Sequence, residues 1–165
     1  VLDYSPKQIA SELYVAEREN YQIHAIEGDM TKTLPFEDET FDIIFHPVSN
    51  CYVKDVQHVF REAYRVLKKG GVLLSGLDNG INYIVDGEEK EIVWKMPFDP
   101  LTDDKAKQFV IEADCGMQFS HTLEEQIGAQ LKAGFTLLDL YEDTNGEGRL
   151  HELNIKTYIA TKARK

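Results

Sequence analysis

The sequence predicts an α/β protein with a parallel sheet, on the basis of three neighbouring segments. Residues 41–45 form a short apolar stretch typical of a buried strand, and residues 72–77 form an apolar run typical of a central strand buried on both faces. Between them, residues 53–67 carry apolar side chains at the spacing of an amphipathic helix. A strand, a helix and a second strand in this order make a right-handed crossover, which joins parallel strands. Ligands bind such sheets at the carboxyl ends of the strands, so functional residues are expected there.

The helix predicted at residues 53–67 has one apolar face and a marked end. Its apolar stripe consists of Val56, Val59, Phe60, Ala63, Val66 and Leu67. Lys68 and Lys69 suit the negative end of the helix dipole, and Gly70 suits the left-handed position that closes a helix. The chain is therefore expected to leave the helix at Gly70 and to enter the next strand.

The amino-terminal segment is predicted to hold a strand, a helix and a second strand. Residues 1–3 read as the end of a strand. Ser5 and Pro6 indicate a helix start, and Gln8 stands where it would complete a capping box. The helix is expected to run to about residue 19, and residues 21–27 are predicted to form the strand that follows.

The carboxyl-terminal half returns to the same alternation after a less regular segment. Thr122 and Glu125 predict a capping box that starts a helix closed before Gly134. The other predicted elements are a hairpin within residues 83–94, a loop at 97–100, a helix near 103–112, strands at 135–141 and 155–161, and a turn at 143–149.

The amino-acid composition limits the kinds of function and partner that the protein can have. The chain has 165 residues, 42% of them hydrophobic, which is enough for the core of one domain. Lys and Arg number 18 against 29 Asp and Glu, a net charge of -11 that disfavours nucleic acid as a partner. No apolar run is long enough to span a bilayer and no signal peptide opens the chain, so a cytoplasmic protein without a membrane partner is expected. Cys51 and Cys115 lack metal-site spacing, and both are expected to be small packed residues with no bound metal.

The stretch from Gly28 to Gly76 resembles the centre of a class I S-adenosylmethionine-dependent methyltransferase of the type 11-like group. The motifs that carry the resemblance are Leu-Pro-Phe at 34–36 before Phe-Asp at 41–42, Lys-Lys-Gly-Gly at 68–71, and Gly-Phe at 134–135. The resemblance implies a Rossmann-like, mostly parallel sheet whose last strand is antiparallel. It also implies S-adenosylmethionine as the cofactor.

The resemblance begins partway through the second strand of the family. The glycine-rich turn that follows the family's first strand is not in this sequence. The expectation is therefore a single truncated domain over residues 1–165 that lacks the first strand of its sheet. Losing that strand leaves two strand edges unpaired, and a homo-oligomer is one way to cover them.

Four residues near the carboxyl ends of the first two predicted strands match the family's cofactor positions. Asp3 is implied to bind the ribose hydroxyls, and Tyr4 to lie against the adenine or the ribose. Asp29 is implied to accept from the adenine amino group, while Met30 donates its backbone amide and packs on the ring. The alternatives are a solvated turn for Asp3 and a local turn with Thr31 for Asp29.

The loop at residues 46–52 follows the next strand, where cofactor and acceptor meet in this family. The resemblance places His46 and Pro47 beside the methionine part of the cofactor. His46, Asn50 and Tyr52 are the candidate catalytic residues: all three are placed to orient an acceptor, and His46 to take its proton. The alternative for His46 is a hydrogen-bonded structural histidine.

Residues 79–121 occupy the place where the family inserts its acceptor-recognition elements. Residues 78–80, at the end of a strand, are a secondary candidate for ligand contact. The side chains that would form this inserted segment's walls are Trp94, Phe98, Phe109, Phe119 and His121. The alternative for the four aromatic residues is ordinary core packing.

The function implied by the resemblance is methyl transfer to a small-molecule acceptor. Such transfer is an in-line displacement in which the enzyme mainly positions the reactants. Asp3, Asp29 and the loop at 46–52 are accordingly expected to meet at one edge of a common sheet. One alternative is a non-catalytic fragment that works as an interaction or regulatory module through an exposed sheet edge. The other is a nucleotide-binding enzyme of a different doubly wound type.

Overall fold

The structure, a computed structural model, describes all residues from 1 to 165. The chain divides into two compact units, Val1–Glu37 and Asp38–Lys165. The first unit contains strand β1 (Leu2–Asp3), helix α1 (Pro6–Arg18) and strand β2 (Ile26–Glu27). Its two strands pair in parallel, with Leu2 opposite Ile26 and Asp3 opposite Glu27.

Two local predictions for the first unit need correction. The Ser5 side chain accepts from the backbone of Gln8, but the backbone N–H of Ser5 donates to Asp3 rather than to Gln8. The capping box is therefore only half formed. The strand predicted at residues 21–27 is confined to Ile26–Glu27, because β1 offers only two residues for pairing.

The second unit holds a four-stranded sheet with helices. Its elements are β3 (Phe41–His46), α2 (Val56–Val66), β4 (Leu67–Asp78), α3 (Asp104–Glu112), α4 (Leu123–Ala133), β5 (Thr136–Asp143), α5 (Gly148–Glu152) and β6 (Tyr158–Arg164). The strand order is β3-β4-β6-β5. Strands β3 and β4 are parallel, whereas β6 is antiparallel to both of its neighbours. Three of the four strands therefore share one direction, which confirms the mostly parallel α/β sheet with an antiparallel last strand.

Helices α2 and α4 pack together with one face of this sheet. The buried cluster joins Phe60 and Ala63 of α2 to Leu73 of β4, Ala129 of α4 and Ile159 of β6. All six residues of the predicted apolar stripe on α2 are buried. The amphipathic pattern therefore identified the face of α2 that forms the core.

The ends of α2 differ from the prediction. The helix begins at Val56, because the Asp55 side chain caps it by accepting from the backbone of His58. It ends at Val66 rather than at Gly70. Leu67 is already extended and pairs with Phe41 as the first residue of β4, so sheet pairing stops the helix before the glycine is reached.

Strand β3 is not the buried strand that its apolar sequence predicts. Ile43 is 64% exposed and Phe45 is 73% exposed, whereas Phe41 and Ile44 pack against the core. From Ile43 onward, successive side chains of the strand point to opposite faces, and Ile44 lies on the face that packs against the core. A register shift separates Phe41 from Ile43. The prediction failed because the helices of this unit leave the other face of β3 open.

The segment between β4 and α4 forms a second, smaller core. Phe98 is buried with Ala106 and Val110 of α3. The hairpin predicted within residues 83–94 is reduced to a single bridge between Val85 and Ile92. Helix α3 is confirmed and starts after Asp103, whose side chain accepts from two backbone N–H groups.

Both ends of helix α4 agree with the prediction from the local sequence. The Thr122 side chain accepts from the backbone of Glu125, and the Glu125 carboxylate accepts from the backbone of Thr122, so the predicted capping box is complete. Gly134 ends the helix in the left-handed conformation, with a φ of 109°. None of the helices in the protein combines the length and apolar character that crossing a bilayer requires.

Candidate active site

The first unit brings Asp3 and Asp29 to one end of its small sheet. Asp3 is the last residue of β1, and Asp29 follows the last residue of β2 by two positions. The backbone N–H of Gly28 donates to the carbonyl oxygen of Asp3 over 2.9 Å. Because β1 and β2 run in parallel, Asp3 and Asp29 lie at the same end of the small sheet, where the paired strands end.

Each of these carboxylates uses one oxygen in a local turn. Oδ1 of Asp3 accepts from the backbone of Ser5 at 2.7 Å. Oδ1 of Asp29 accepts from the backbone and the hydroxyl of Thr31 at 2.8 and 2.7 Å. The bonds from the Thr31 hydroxyl and then from its amide lower the pKa of Asp29. In both residues Oδ2 makes no hydrogen bond, so the turns expected as alternatives are present and one oxygen of each carboxylate stays open to a donor.

Tyr4 and Met30 follow the two carboxylates in the chain. Tyr4 is 76% exposed, so its ring is not engaged in a core. Met30 is half-buried. The first unit therefore offers an open aromatic ring and a flexible thioether next to the two carboxylates.

In the second unit, His46 lies at the carboxyl end of β3 and is held by Asn50. Its Nε2 is 2.8 Å from Oδ1 of Asn50, which begins the 3-10 turn Asn50–Tyr52. The edge of the imidazole faces Phe60, with ring centroids 6.2 Å apart at an interplanar angle of 75°. Burial lowers the pKa of His46, and the Asn50 hydrogen bond offsets part of that effect. His46 is therefore neutral near pH 7, the state in which an imidazole accepts a proton.

Asn50 belongs to a buried polar network that links two strand ends with α4. Its side-chain amide donates to Oε1 of Gln126 at 3.2 Å, and Nε2 of Gln126 donates to the carbonyl oxygen of Asp78. The carbonyl oxygen of Asn50 lies 3.1 Å from Nε2 of His121. Asn50, Gln126 and His121 are all buried. The loop after β3 is thus tied to the end of β4 through a side chain of α4.

Asp78 ends β4 as a buried carboxylate. Its Oδ1 accepts from the backbone of Gly80 at 2.5 Å, and its Oδ2 accepts from the side chain of Asn82 at 2.7 Å. Gly80 has a φ of 92°, a conformation that only glycine adopts without strain. Burial raises the pKa of Asp78, although these two hydrogen bonds act in the opposite direction.

The raised pKa of Asp78 predicts a pH dependence of stability. Between its ordinary and its raised pKa, the folded state binds more protons at this carboxyl than the unfolded state does. The stability that it contributes is therefore complete below the ordinary pKa and is lost as the pH rises through the raised one. Urea titrations across this range should show the stability of Asp78→Asn rising relative to that of the wild type. A difference between the two proteins that does not vary with pH would contradict the assignment.

The remaining predicted loop residues are more exposed. Tyr52 is 53% exposed, and partial burial is the main cause that raises its pKa, so its phenol stays neutral. Pro47 is exposed beside His46. Tyr52 therefore remains a hydrogen-bonding group of the loop surface, whereas Asn50 is an internal one.

A small pocket adjoins the network at the end of β4. Side chains that line it include Cys51, Asp78, Tyr83, Phe119, His121 and Gln126. Two of the predicted wall residues, Phe119 and His121, are thus at the pocket. Trp94 instead packs against Phe98 and Phe109, with ring centroids 5.8 and 5.6 Å apart, as the core-packing alternative predicts.

The two cysteines differ in their burial. Cys51 is buried as predicted, and burial is the main cause that raises the pKa of its thiol. Cys115 is exposed, so the prediction of a packed residue was wrong there. The chain reverses direction after α3 at Asp114 and Gly116, both with positive φ, and this turn leaves Cys115 at the surface.

Sequence reasoning missed Gln126 and the carbonyl oxygen of Asp78. Gln126 is 2% exposed and Gln130 is 1% exposed, on the same buried face of α4 as Ala129. A signal was available, since polar residues at core positions of an amphipathic helix need hydrogen-bond partners. The identity of the hydrogen-bond partner of Gln126 could not be predicted, because Asn50 lies 76 residues away from it in the chain.

Comparisons with known proteins agree with this architecture. A family model described as a methyltransferase domain matches residues 1–75. The uncharacterized methyltransferase YbaJ of Bacillus subtilis is 41% identical over 171 residues, which cover 99% of this chain and 66% of that protein. The chain belongs to the methyltransferase family, and it spans 66% of the length of this relative.

Solved structures show the same fold. An S-adenosylmethionine-dependent methyltransferase from Mesorhizobium loti superposes with a TM-score of 0.69 at 20% identity, covering 99% of this chain and 78% of that one. A geranyl diphosphate methyltransferase in complex with S-adenosylmethionine gives a TM-score of 0.66 at 15% identity, covering 99% and 66%. At this identity the likeness concerns the fold alone, and the bound S-adenosylmethionine is a feature of that second structure.

Proposed function

We propose that this chain takes part in S-adenosylmethionine-dependent methyl transfer to a small-molecule acceptor. The observation that carries the proposal is the pair Asp3 and Asp29, which leave adjacent parallel strands with one carboxylate oxygen each open. Both lie within the segment that the methyltransferase family model matches. Asp3 and Asp29 are proposed as the carboxylates that bind the cofactor, and His46, Asn50 and Tyr52 are proposed separately as the residues that face the acceptor.

The free groups of the first unit fit an adenosyl moiety chemically. The ribose hydroxyls and the adenine amino group are hydrogen-bond donors, and a carboxylate oxygen is the acceptor that suits them. Asp3 would hold the ribose and Asp29 the adenine amino group. Tyr4 and Met30 offer an aromatic and a polarizable surface for the flat ring. Backbone groups of His46 and Pro47 would contact the methionine part.

When bound, S-adenosylmethionine supplies a methyl group. The acceptor atom bonds to the methyl carbon, and the bond from that carbon to sulfur breaks with its electron pair left on sulfur. The residues of this chain contribute alignment and a proton acceptor. Asn50 holds the His46 ring, and Tyr52 offers a neutral hydroxyl to orient the acceptor. His46 takes the proton that a hydroxyl or a similar acceptor group must lose. Residues 79–121 would form part of the acceptor's surroundings.

The substitution Asp29→Asn tests the cofactor proposal. The amide keeps an oxygen for Thr31 but replaces the open Oδ2 with a donor, which cannot accept from an amino group. We expect binding of S-adenosylmethionine to weaken by about 10- to 100-fold, the range for losing a hydrogen bond to a charged group. Isothermal titration calorimetry on the 165-residue chain measures the change directly.

A matched control is Asp86→Asn in the second unit. Asp86 also uses one carboxylate oxygen to accept two backbone bonds in a turn, from Lys90 and Glu91 at 2.6 and 2.9 Å. Its substitution should leave the affinity unchanged. Equal affinities for all three proteins would remove Asp29 from the cofactor site.

A second candidate function is supported by the open edge of β3. This strand has no hydrogen-bonded neighbour on one side, and Ile43 and Phe45 are exposed beside that edge. Such an edge can pair with the same strand of a second copy, which would make the chain an interaction module or a homo-oligomer. Sedimentation velocity should then show association that Phe45→Glu abolishes. A monomer at all concentrations would exclude this candidate.

A further inference from the structure

The buried amide chain behind His46 has a fixed direction. It ends on the carbonyl oxygen of Asp78, a group that accepts hydrogen bonds and never donates them. Gln126 must therefore direct its NH₂ group at Asp78, which leaves its Oε1 for Asn50. Asn50 must then direct its own NH₂ group at Gln126, which leaves its Oδ1 for His46.

The direction of the chain sets the protonation of the imidazole. An amide oxygen only accepts, so Nε2 of His46 has to carry the proton that it donates to Asn50. In the neutral ring the other nitrogen, Nδ1, then holds a lone pair. Nδ1 makes no hydrogen bond within the protein, so it remains the proton-accepting atom of His46.

Burial makes the opposite arrangement unfavourable. Asn50 is 3% exposed and Gln126 is 2% exposed, so neither amide can turn toward water. A reversed chain would place the oxygen of Gln126 against the carbonyl oxygen of Asp78, two acceptors with no donor between them. Leaving one buried polar group unsatisfied costs enough to favour the observed direction by at least about tenfold.

We propose that Gln126 is a positioning residue, which acts through Asn50 to hold His46 in the tautomer whose Nδ1 accepts the proton of the methyl acceptor. The proposal deepens the proposed function and rests on it for the role of His46. The proton leaves the acceptor atom as that atom bonds to the methyl carbon, and it is received by the Nδ1 lone pair. The imidazolium so formed still donates through Nε2 to Asn50.

The test is the tautomer of His46 in the free 165-residue chain, read from the imidazole ¹⁵N shifts of protein labelled at histidine. His46→Gln assigns the signals among the five histidines. The wild type is expected to show Nε2 protonated and Nδ1 bare. Gln126→Met, which fills the space but makes no hydrogen bond, is expected to raise the Nδ1-protonated form from under about a tenth to a major population.

Two further variants sharpen the result. Gln130→Met is the matched control, since Gln130 is equally buried one turn along α4 but contacts the Gln126 backbone and the Thr161 hydroxyl instead of Asn50. It should leave the tautomer unchanged. Gln126→Glu keeps an oxygen facing Asn50 in either protonation state, so it should preserve the wild-type tautomer. If Gln126→Met does not fold, a His46 protonated on Nδ1 in the wild type or in Gln126→Glu would still overturn the proposal.

Each outcome bears on a distinct claim. A wild-type His46 protonated on Nδ1, or a tautomer that Gln126→Met leaves unchanged, overturns the role of Gln126. Because the readout needs neither cofactor nor acceptor, that failure is separate from failure of the cofactor site, which the Asp29 titration measures. If the tautomer responds as expected, methyl-transfer rates of Gln126→Met should fall by about 10- to 100-fold, part of the range for general base catalysis.

Discussion

Replacing His46 with glutamine is expected to slow methyl transfer by about 10²- to 10⁴-fold, the usual contribution of a general base. The glutamine amide can keep a hydrogen bond to Asn50, but it has no nitrogen able to accept a proton. The affinity for S-adenosylmethionine should change little, because His46 is proposed to contact it through its backbone. Initial rates with radiolabelled S-adenosylmethionine and an acceptor found by screening metabolite pools provide the measurement.

The pH dependence of the methyl-transfer rate distinguishes the loss of a general base from a non-specific structural effect of the substitution. Burial lowers the pKa of His46 below its ordinary value of 6.5, so the neutral base persists to lower pH than for an exposed histidine. The wild-type rate should therefore fall only below that value, and His46→Gln should lack this fall. The exposed residue His24 serves as the control, since His24→Gln should leave the profile intact. A wild-type midpoint above 6.5 would contradict the role of His46.

The same lowered pKa has a consequence for stability. A histidine whose folded pKa is depressed contributes stability that is present above its unfolded pKa and lost as the pH falls through the folded pKa. This is the reverse of the contribution of Asp78. A fall in pH therefore removes the contribution of His46 to stability, whereas a rise in pH removes that of Asp78.

Replacing Phe60 with alanine is expected to lower the free energy of unfolding by about 3–5 kcal/mol, as for other buried phenylalanines. Phe60 is fully buried in the cluster shared by α2, α4 and the sheet. Its removal leaves a cavity where those elements meet, and it also removes the ring that faces the edge of His46. Such a loss is a large fraction of the stability of about 5–15 kcal/mol that is usual for a folded protein.

Urea denaturation followed by circular dichroism tests this expectation. The matched control is Phe45→Ala, because Phe45 is 73% exposed and its truncation should change stability by no more than about 0.5 kcal/mol. Similar losses in both variants would show that the two faces of the sheet are equally buried in solution. Covering of β3 by a second copy would produce that result.

Much of the fold was predictable because its signals are local. The stripe on α2 depends only on spacing along the helix, and the cap of α4 depends only on Thr122 and Glu125. The end of α2 was not predictable in this way. Gly70 has the conformation of a helix cap, yet Leu67 enters the sheet first because Phe41 is there to pair with it.

The candidate site also combines features that the local sequence predicts with features that depend on distant residues. Asp3 and Asp29 were predictable because residues that end parallel strands meet at one edge of a sheet. His46 and Asn50 were predictable as loop residues after a strand. Their state was not, since burial lowers the pKa of His46 and a side chain of α4 directs Asn50. The meeting of Asp3, Asp29 and the loop at 46–52 at one edge stays a prediction.

Short-range interactions along this chain were therefore sufficient to predict its fold class and its family. The type of each element and its capping depend on residues within one or two helical turns, and such residues are close together in the sequence. The tautomer of His46, the exposure of β3 and the role of Gln126 depend on partners brought from distant segments. Hydrogen bonds such as the one from Asn50 to Gln126, across 76 residues, exist only once the chain has folded.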